Sequence, residues 1–462
     1  MTLFIYNTLT RKKEEFNPLK KGEVSIYSCG VTVYDDCHIG HARSLYIYDI
    51  FCRYLKYLGY KVRFVRNITD IDDKIIKRAQ ELKIEFDELS KKFIEKYYED
   101  LKRLGIAKAD KEPRATRHIK DIIKGITVLM EKGYAYEVGG DVYFRVRKFK
   151  DYGKLSGQSI EAMLEAVRIE RDENKQDPLD FALWKKSKER EPKYESPWSD
   201  GRPGWHIECS IMSIKYLGQT FDIHAGGRDL IFPHHENEIA QSEALTGKPF
   251  ARYWMHNGLL TVAGQKMSKS LGNFITIRDF LAKHSADVLK LFFLTTHYRS
   301  PIDYTEDKIE NANKNKHQIE QFLSQHLKGR ISDITDEDKK TVDAIIEQFN
   351  QALADDFNTP KALGFVFEAI NLGSKYRAED KKGAYEYLRR NLIRLLKIFG
   401  FSFTQHHQQS LNSRVYRLAE RRLKARKDKD YKLADDLRLE IEKLGFTIVD
   451  TSSGYSLIPK GK

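Results

Sequence analysis

The chain has no long apolar run. No stretch of about 18 apolar residues occurs, so no membrane-spanning helix is expected. Cysteine is scarce. Four of them (Cys29, Cys37, Cys52, Cys209) among 462 residues make no disulfide framework and no C-x-x-C pair, and a reducing cytoplasm is the expected setting. Arg11, Lys12 and Lys13 near the start are not followed by an apolar segment, so a secretory signal is not expected. No repeat array is present, which excludes a solenoid. What is there is length enough for roughly two to four domains. The hydrophobic content of 41% is ordinary, and the net charge is +13. That balance suits a polyanionic partner such as nucleic acid, or simply a solvated basic surface.

The apolar pattern predicts a βαβ unit near the start. Val24 and Ile26 alternate with polar neighbours into Cys29-Gly30, as a strand does. Leu45, Tyr48, Phe51, Cys52, Leu55 and Leu58 then recur at helical spacing, Gly59 stops the helix, and Val62, Phe64 and Ile68 form a second strand. The pattern returns with Phe221 and Ile223 running into His224-Ala225-Gly226-Gly227, a helix from about Pro233 to Leu245, and a strand around Tyr253 and His256. These read as two halves of one doubly wound parallel sheet, separated by a charged insertion near residues 120–200. Beyond Asp287, helical periodicity (Leu388, Leu392, Leu395, Leu396, Phe399) predicts a helical bundle. The polar stretch from Thr404 to Ser413 reads as a linker. A basic helix follows (Arg414, Arg417, Arg421, Arg422, Lys424, Arg426, Lys427), then a hairpin with its turn at Ser452-Ser453-Gly454.

Two short motifs carry chemistry. His38-Ile39-Gly40-His41 sits at the strand-to-helix turn, where ligands of parallel sheets bind and free helix N–H groups attract phosphate. Lys266-Met267-Ser268-Lys269-Ser270 is a lysine-bearing loop before Gly272-Asn273. Together they suit gripping ATP while its α-phosphate is attacked, a step served by N–H and cationic donors without a covalent nucleophile. By itself the loop reads equally well as solvated polar surface. Cys29, Cys209, His234 and Glu238 offer two thiolates, an imidazole and a carboxylate, with His234 and Glu238 one helical turn apart. Spacing alone leaves open ordinary buried thiols and a core histidine. Gly227 and Asp229 read as a ribose contact or a helix cap. Asp70, Asp72 and Asp73 read as helix caps or as Mg²⁺ partners, and Trp205 and His206 as a pocket wall or core.

The text around these motifs resembles the class I aminoacyl-tRNA synthetases and, within them, the cysteinyl-tRNA synthetase family. The resemblance rests on Tyr27-Ser28-Cys29-Gly30-Val31-Thr32-Val33-Tyr34-Asp35, Asn67-Ile68-Thr69-Asp70-Ile71-Asp72-Asp73-Lys74, Gly204-Trp205-His206-Ile207-Glu208-Cys209-Ser210 and Phe232-Pro233-His234-His235-Glu236-Asn237-Glu238. It covers essentially the whole chain. It implies an α/β Rossmann-type catalytic domain split by an insertion, then an α-helical bundle and a small mixed C-terminal domain. The divisions expected are 1–120 and 201–260 for the catalytic halves, 121–200 for the insertion, and 261–304 for the lysine loop and linking helices. Residues 305–403 form the tRNA-binding bundle and 404–462 the anticodon-binding domain. The resemblance implies a cysteine–tRNA ligase that forms cysteinyl-adenylate and passes cysteine to the tRNA 3′ ribose. It assigns one Zn²⁺ to Cys29, Cys209, His234 and Glu238, where it would bind the substrate thiolate. It assigns ATP, entering with Mg²⁺, to His38, Gly40, His41, Gly227, Asp229, Lys266 and Lys269, and the amino-acid pocket to Thr69, Trp205 and His224. The partners implied are tRNA, L-cysteine and ATP, with no membrane, and a monomer is expected.

Three other readings compete. A ligase joining activated cysteine to a small amine has no use for the basic region beyond Asp287. A catalytically silent RNA-binding protein has no need of His38, His41 and Lys269, and a zinc hydrolase lacks an obvious general base beside the metal residues.

Overall fold

Val24, Ile26 and Tyr27 are all buried in the first core strand, β1 (Glu23–Ser28), because the sheet is covered on both faces. The computed structural model describes residues 1–166, 174–268, 271–325, 333–428, 430–451 and 454–459. Helix α1 (Ile39–Tyr57) follows β1 and returns the chain to β2 (Lys61–Arg66). After the insertion come α2 (Trp205–Leu217), β3 (Phe221–Gly227), α3 (Glu236–Thr246) and β4 (Ala251–Asn257). The four strands pair in parallel in the order β4-β3-β1-β2. The two halves therefore meet where β1 pairs β3, with Ile26 opposite Ile223 and Ser28 opposite Ala225. That juncture is the topological switch point, where such sheets bind ligands beyond their carboxyl ends. The α/β expectation holds.

One helix end differs from its expectation. The segment Ile231–His235 is a separate wide helical turn, and the regular helix begins only at Glu236. Phe232 is extended (φ −137°, ψ 134°), as a residue before proline tends to be, so the chain cannot enter the helix at Pro233.

Helix α1 is buried nearly all round, since the sheet covers one side and the helical bundle the other. Phe51 meets Phe357 edge to face with centroids 5.3 Å apart, and the Tyr46 hydroxyl donates to the Phe399 carbonyl at 2.9 Å. Each such aromatic or aliphatic side chain withdrawn from water contributes about 1.5–3 kcal/mol. A second core lies on the other sheet face, where Tyr27, Val65 and Trp254 pack against α2, α3 and the insertion. The insertion brings the helix Ile119–Glu131 and a four-stranded antiparallel sheet ending at Gly201–Pro203. Beyond β4 lies a small sheet of Leu260–Val262, Gln265–Lys266 and Ile302–Tyr304. The bundle comprises helices Glu306–Ser324, Asp336–Ala354, Thr359–Ala378 and Lys382–Leu396.

The linker expected from Thr404 to Ser413 is not there: those residues belong to one helix, Ser402–Lys427. Polarity misled the reading. The stretch contains neither glycine nor proline, and glutamine-rich sequence propagates a helix readily. The helix Tyr431–Lys443 and the hairpin of Phe446–Thr451 with Gly454–Pro459 complete the chain. Ser452 and Ser453, expected in its turn, lie outside the described residues.

The start of the long helix is clamped by Asp287. Its carboxylate accepts from the Ser402 N–H at 2.9 Å, from the Ser402 hydroxyl at 2.6 Å and from the Lys290 ammonium at 3.1 Å. Burial pushes the Lys290 ammonium down from its ordinary value, and Asp287 opposes that push. Replacing Asp287→Ala strands the buried Lys290 charge and uncaps the helix. Loss of one partner of a buried pair costs about 3–5 kcal/mol. Urea denaturation of the variant followed by circular dichroism is expected to show a loss of that size, and a loss below about 1 kcal/mol, the scale of an exposed pair, rules the clamp out.

Candidate active site

The first site element is the start of α1. His38 occupies the N-cap position, and its Nδ1 accepts from the Gly40 N–H at 3.0 Å and the His41 N–H at 3.3 Å. His41 answers by accepting the His38 N–H on its own Nδ1 at 3.3 Å. This is a capping box built from two histidines in place of the usual hydroxyl and carboxylate. Backbone donors occupy both Nδ1 atoms, so each neutral ring carries its proton on Nε2. The rings stack with centroids 3.7 Å apart. Burial holds His38 down to about 4, and burial together with the neighbouring His38 holds His41 well below the usual histidine range. Near neutral pH both are uncharged N–H donors at a helix N-terminus, a setting that favours phosphate.

The lysine-bearing segment comes to this same helix end. Lys266 is exposed on the strand Gln265–Lys266, opposite Thr261. A Cβ added to Gly40 would lie 3.0 Å from Met267 Cε, so the side chain of one motif rests on the glycine of the other. The chain returns along α1: the Ile39 N–H donates to the Ile275 carbonyl at 3.1 Å, and the Ile277 N–H to the Cys37 carbonyl at 2.8 Å. Asn273 staples the loop base, accepting from the Ser268 N–H at 2.8 Å and donating to the Lys266 carbonyl at 3.2 Å. Lys269 and Ser270 lie outside the described residues.

Cys29 at the end of β1, Cys209 in α2, and His234 and Glu238 around the start of α3 converge. One donor atom from each lies within 4.8 Å of all the others. Cys29 Sγ is 3.8 Å from Cys209 Sγ, 3.4 Å from His234 Nε2 and 3.3 Å from Glu238 Oε1. Bonds of 2.0–2.3 Å at tetrahedral angles require edges of about 3.3–3.8 Å; the three Cys29 edges match, while His234 Nε2 and Glu238 Oε1, 2.9 Å apart, would have to part by a few tenths of an ångström to share a zinc ion. Outer partners hold two of the ligands. His206 Nδ1 lies 2.8 Å from His234 Nδ1, and His224 Nε2 donates to Glu238 Oε2 at 2.8 Å. A second set, Cys29, His224, His235 and Glu238, shares two members. It would leave Cys209 and His234 outside the ligand set, and it would engage His235 through Nε2, 3.3 Å from Cys29 Sγ, with Nδ1 still held 2.8 Å from His256 Nε2. The first set is the better built. Burial disfavours a charged His234, but Glu238 and Cys209 outweigh it and lift His234 to about 10. The Cys29 thiol donating to it holds Cys209 down to about 7.

The remaining sequence candidates separate. Trp205, 37% exposed, stacks on His234 with centroids 4.2 Å apart. With His206 it borders a cleft of about 650 Å³ that also takes in Phe181, Lys185 and Arg202. Thr69 is buried, and its hydroxyl accepts from Asn67 at 3.1 Å. His224 is fully buried and stacks on Trp254, so it supports Glu238 from behind. Gly227 ends β3, and Asp229 is exposed in the turn Arg228–Leu230 without capping a helix. Asp72 does cap: it accepts from the Lys74 N–H at 2.8 Å. Asp70 is bound to Thr116, and Asp73 to Lys185 and Arg202. Asn67 and His235 lie in motifs that carry the resemblance, yet nothing in their spacing assigns Asn67 its bond to Thr69 or His235 its chain through His256 to Thr8. A buried histidine at a strand end looks like any core residue until its partners are known.

A parallel sheet with this switch point, capped by a His-x-x-His helix and a Lys-Met-Ser-Lys-Ser segment that meet, defines a class I aminoacyl-tRNA synthetase. The model of the tRNA synthetases class I (C) catalytic domain matches residues 15–314, and that of the DALR domain matches 348–404. The chain is 47% identical to the cysteine--tRNA ligase of Aquifex aeolicus, over 98% of each chain. It is 48% identical to that of Thermococcus onnurineus, again over 98% of each. In fold it is similar to methionyl-tRNA synthetase of Mycobacterium tuberculosis in complex with methionyl-adenylate. The TM-score is 0.65 at 15% identity, covering 84% of this chain and 94% of that one. The chain belongs to the cysteine--tRNA ligase family and is an ATP-dependent enzyme that joins cysteine to tRNA.

The histidine cap separates structure from chemistry. Asparagine at position 38 keeps a capping oxygen but loses the outward Nε2–H. His38→Asn is expected to hold stability within a few tenths of a kcal/mol, and His38→Ala to lose about 1 kcal/mol. Both are expected to lose cysteine-dependent ATP–pyrophosphate exchange. His38 also carries a pH signature. Its folded value of about 4 lies below the ordinary 6.5, so on acidification the unfolded chain takes up a proton that the folded one refuses. Its share of stability, full above pH 6.5, falls as the pH drops towards 4. Denaturation of wild type and His38→Asn across this window checks the sign: the variant is expected to have the shallower slope.

Proposed function

We propose that Cys29, Cys209, His234 and Glu238 hold one zinc ion that selects cysteine, and that His38, His41, Lys266 and Lys269 hold the ATP phosphates. The observation that carries the reading is the convergence of four donors beside Trp205, at the border of the cleft and at the carboxyl ends of the joined half-sheets. Zinc, when bound, supplies a soft centre that takes a thiol as thiolate and has no comparable bond for the hydroxyl of serine or the methyl of alanine. An apolar pocket separates near-isosteres by only about 1–3 kcal/mol, so bonding the distinguishing atom removes the need for editing.

The protein's own residues then set the geometry. Trp205 walls the pocket and fixes the His234 ring by stacking. Asn67, its Oδ1 taken by the Gly30 N–H at 2.8 Å, orients the Thr69 hydroxyl towards the amino acid. Gly227 and Asp229, at the exposed end of β3, suit the ribose of ATP. The two Nε2–H groups of His38 and His41 face the phosphates at the positive end of the α1 dipole, with Gly40 between them. Lys266 and Lys269 approach from the loop. As the cysteine carboxylate attacks the α-phosphate in line, negative charge spreads onto its oxygens and the departing pyrophosphate. Donors already oriented stabilise that charge without reorganising. ATP enters as its Mg²⁺ complex. The tRNA 3′ ribose then attacks the adenylate carbonyl and releases AMP, while the bundle and the basic helix Ser402–Lys427 meet the tRNA backbone. The divisions stated above (1–120, 121–200, 201–260, 261–304, 305–403 and 404–462) are the working domains of a monomer acting in the cytoplasm.

Metal analysis of purified wild type is expected to give one zinc per chain. Cys209→Ser is expected to lose it. His206→Ala, which removes the outer partner of His234, is expected to weaken it about 10–100-fold. Chelated enzyme is expected to lose its preference for cysteine over serine in ATP–pyrophosphate exchange, and undiminished preference sinks the zinc assignment. Lys266→Ala and Lys269→Ala are expected to cut adenylate formation with zinc content intact, and zinc loss in either variant counts against the loop's role.

A further inference from the structure

Arg43 is wholly buried, yet none of its hydrogen bonds goes to a carboxylate. Its Nη1 donates to the carbonyls of Gly258 at 2.8 Å and Leu259 at 2.9 Å. Its Nη2 donates to Ser300 at 2.6 Å, with His297 and Tyr298 farther off at 3.4 Å. Burial draws the guanidinium down to about 10, so it remains a cation near neutral pH. A buried charge costs free energy unless it is hydrogen-bonded, and here main-chain carbonyls alone meet it. Lysine, a point donor on a flexible stem, cannot reach both sides of such a cage at once.

The cage is built by two backbones in close contact. A Cβ added to Gly258 would lie 2.2 Å from the Ser300 carbonyl oxygen, so only glycine lets them converge. The Gly258 N–H also donates to the Tyr298 carbonyl at 2.8 Å. The two segments lead into the neighbouring strands Leu260–Val262 and Ile302–Tyr304, where Leu260 pairs Ile302. The first of these carries Gln265–Lys266 as its antiparallel partner. Arg43 itself stands two residues beyond His41. The guanidinium thus ties the base of the lysine-bearing hairpin to the helix that carries the histidines. The far end of the loop is tied to the same helix by the Ile39–Ile275 bond.

We propose that Arg43 is a positioning residue for adenylate formation, fixing the lysine-bearing hairpin against the helix that presents His38 and His41. The inference rests on the reading that these residues hold the ATP phosphates. Arg43 touches no substrate. It sets the separation of two groups that must act on one triphosphate, where a small misplacement lowers the rate about 100-fold.

The test uses the full chain with R43K, R43M, H41A and K266A, in cysteine-dependent ATP–pyrophosphate exchange with active sites titrated. R43K is expected to lower kcat by about 10–100-fold, while zinc content and the KM for cysteine stay within about twofold, since the amino-acid pocket lies on other elements. R43M is expected to lose more, and if it does not fold, R43K alone decides. Wild-type kcat in R43K beside inactive H41A and K266A overturns the inference and spares the reading of the ATP site. A rise in the KM for cysteine that matches the fall in kcat also overturns it, because that pattern marks general loosening. Full exchange in H41A and K266A sinks the ATP-site reading, and the inference with it.

Discussion

The arrangement depends on one helix being held from every side. Helix α1 lies between the parallel sheet and the helical bundle, and polar links fix its depth. Tyr48, buried within it, donates to the Gly226 carbonyl at 2.7 Å and accepts the Gly226 N–H at 3.1 Å. Ser44 donates to Asn257 at 2.9 Å. These bonds join the helix to the ends of β3 and β4, which belong to the other half of the sheet. They add to the direct links between the half-sheets, the three register pairs of β1 with β3 and the bonds of Asp222 to Ser25. The His38–His41 end, Cys29 at the end of β1 and the lysine-bearing loop all take their positions from this helix or from strands locked to it.

Charge in the site is arranged with economy of a different kind on its two sides. At the start of α1, two histidines are kept neutral by burial and oriented by backbone donors, so that end offers dipoles rather than charge. At the metal cluster, burial is offset by close pairs: Glu238 is held well below the usual carboxylate range because His224 and His234 outweigh the desolvation of its charge. The same burial that would be ruinous for an unpaired carboxylate makes a paired one a strong, fixed donor.

Much of this was legible in the sequence, for a physical reason. A βαβ unit must alternate apolar periods of two and 3.6, and both halves did so from Val24 to Phe64 and from Phe221 to His256. The His-x-x-His and lysine motifs announced chemistry because their residue types are costly or idle elsewhere. Three things were not legible from spacing and polarity. Cys29 and Cys209 meet across 180 positions of sequence, and a buried thiol looks the same whether it packs or binds metal. The linker read from Thr404 to Ser413 rested on polarity alone, and polarity does not break a helix that contains no glycine or proline. Arg43 gave no signal either, since an arginine in an otherwise apolar helix face looks like an exposed residue until its carbonyl cage is seen.

A donor set of two thiolates, an imidazole and one carboxylate ranks metals by softness as well as by size. The feature that separates a thiol from a hydroxyl therefore has no means of separating zinc from a still softer divalent ion. Cadmium or mercury entering the same four donors would meet two sulfurs suited to it, and would compete for the substrate's sulfur as well. On the proposed zinc reading, fidelity towards the amino acid is exchanged for dependence on the cell's metal composition, and the point of greatest chemical selectivity is then also the point of greatest sensitivity to heavy-metal poisoning.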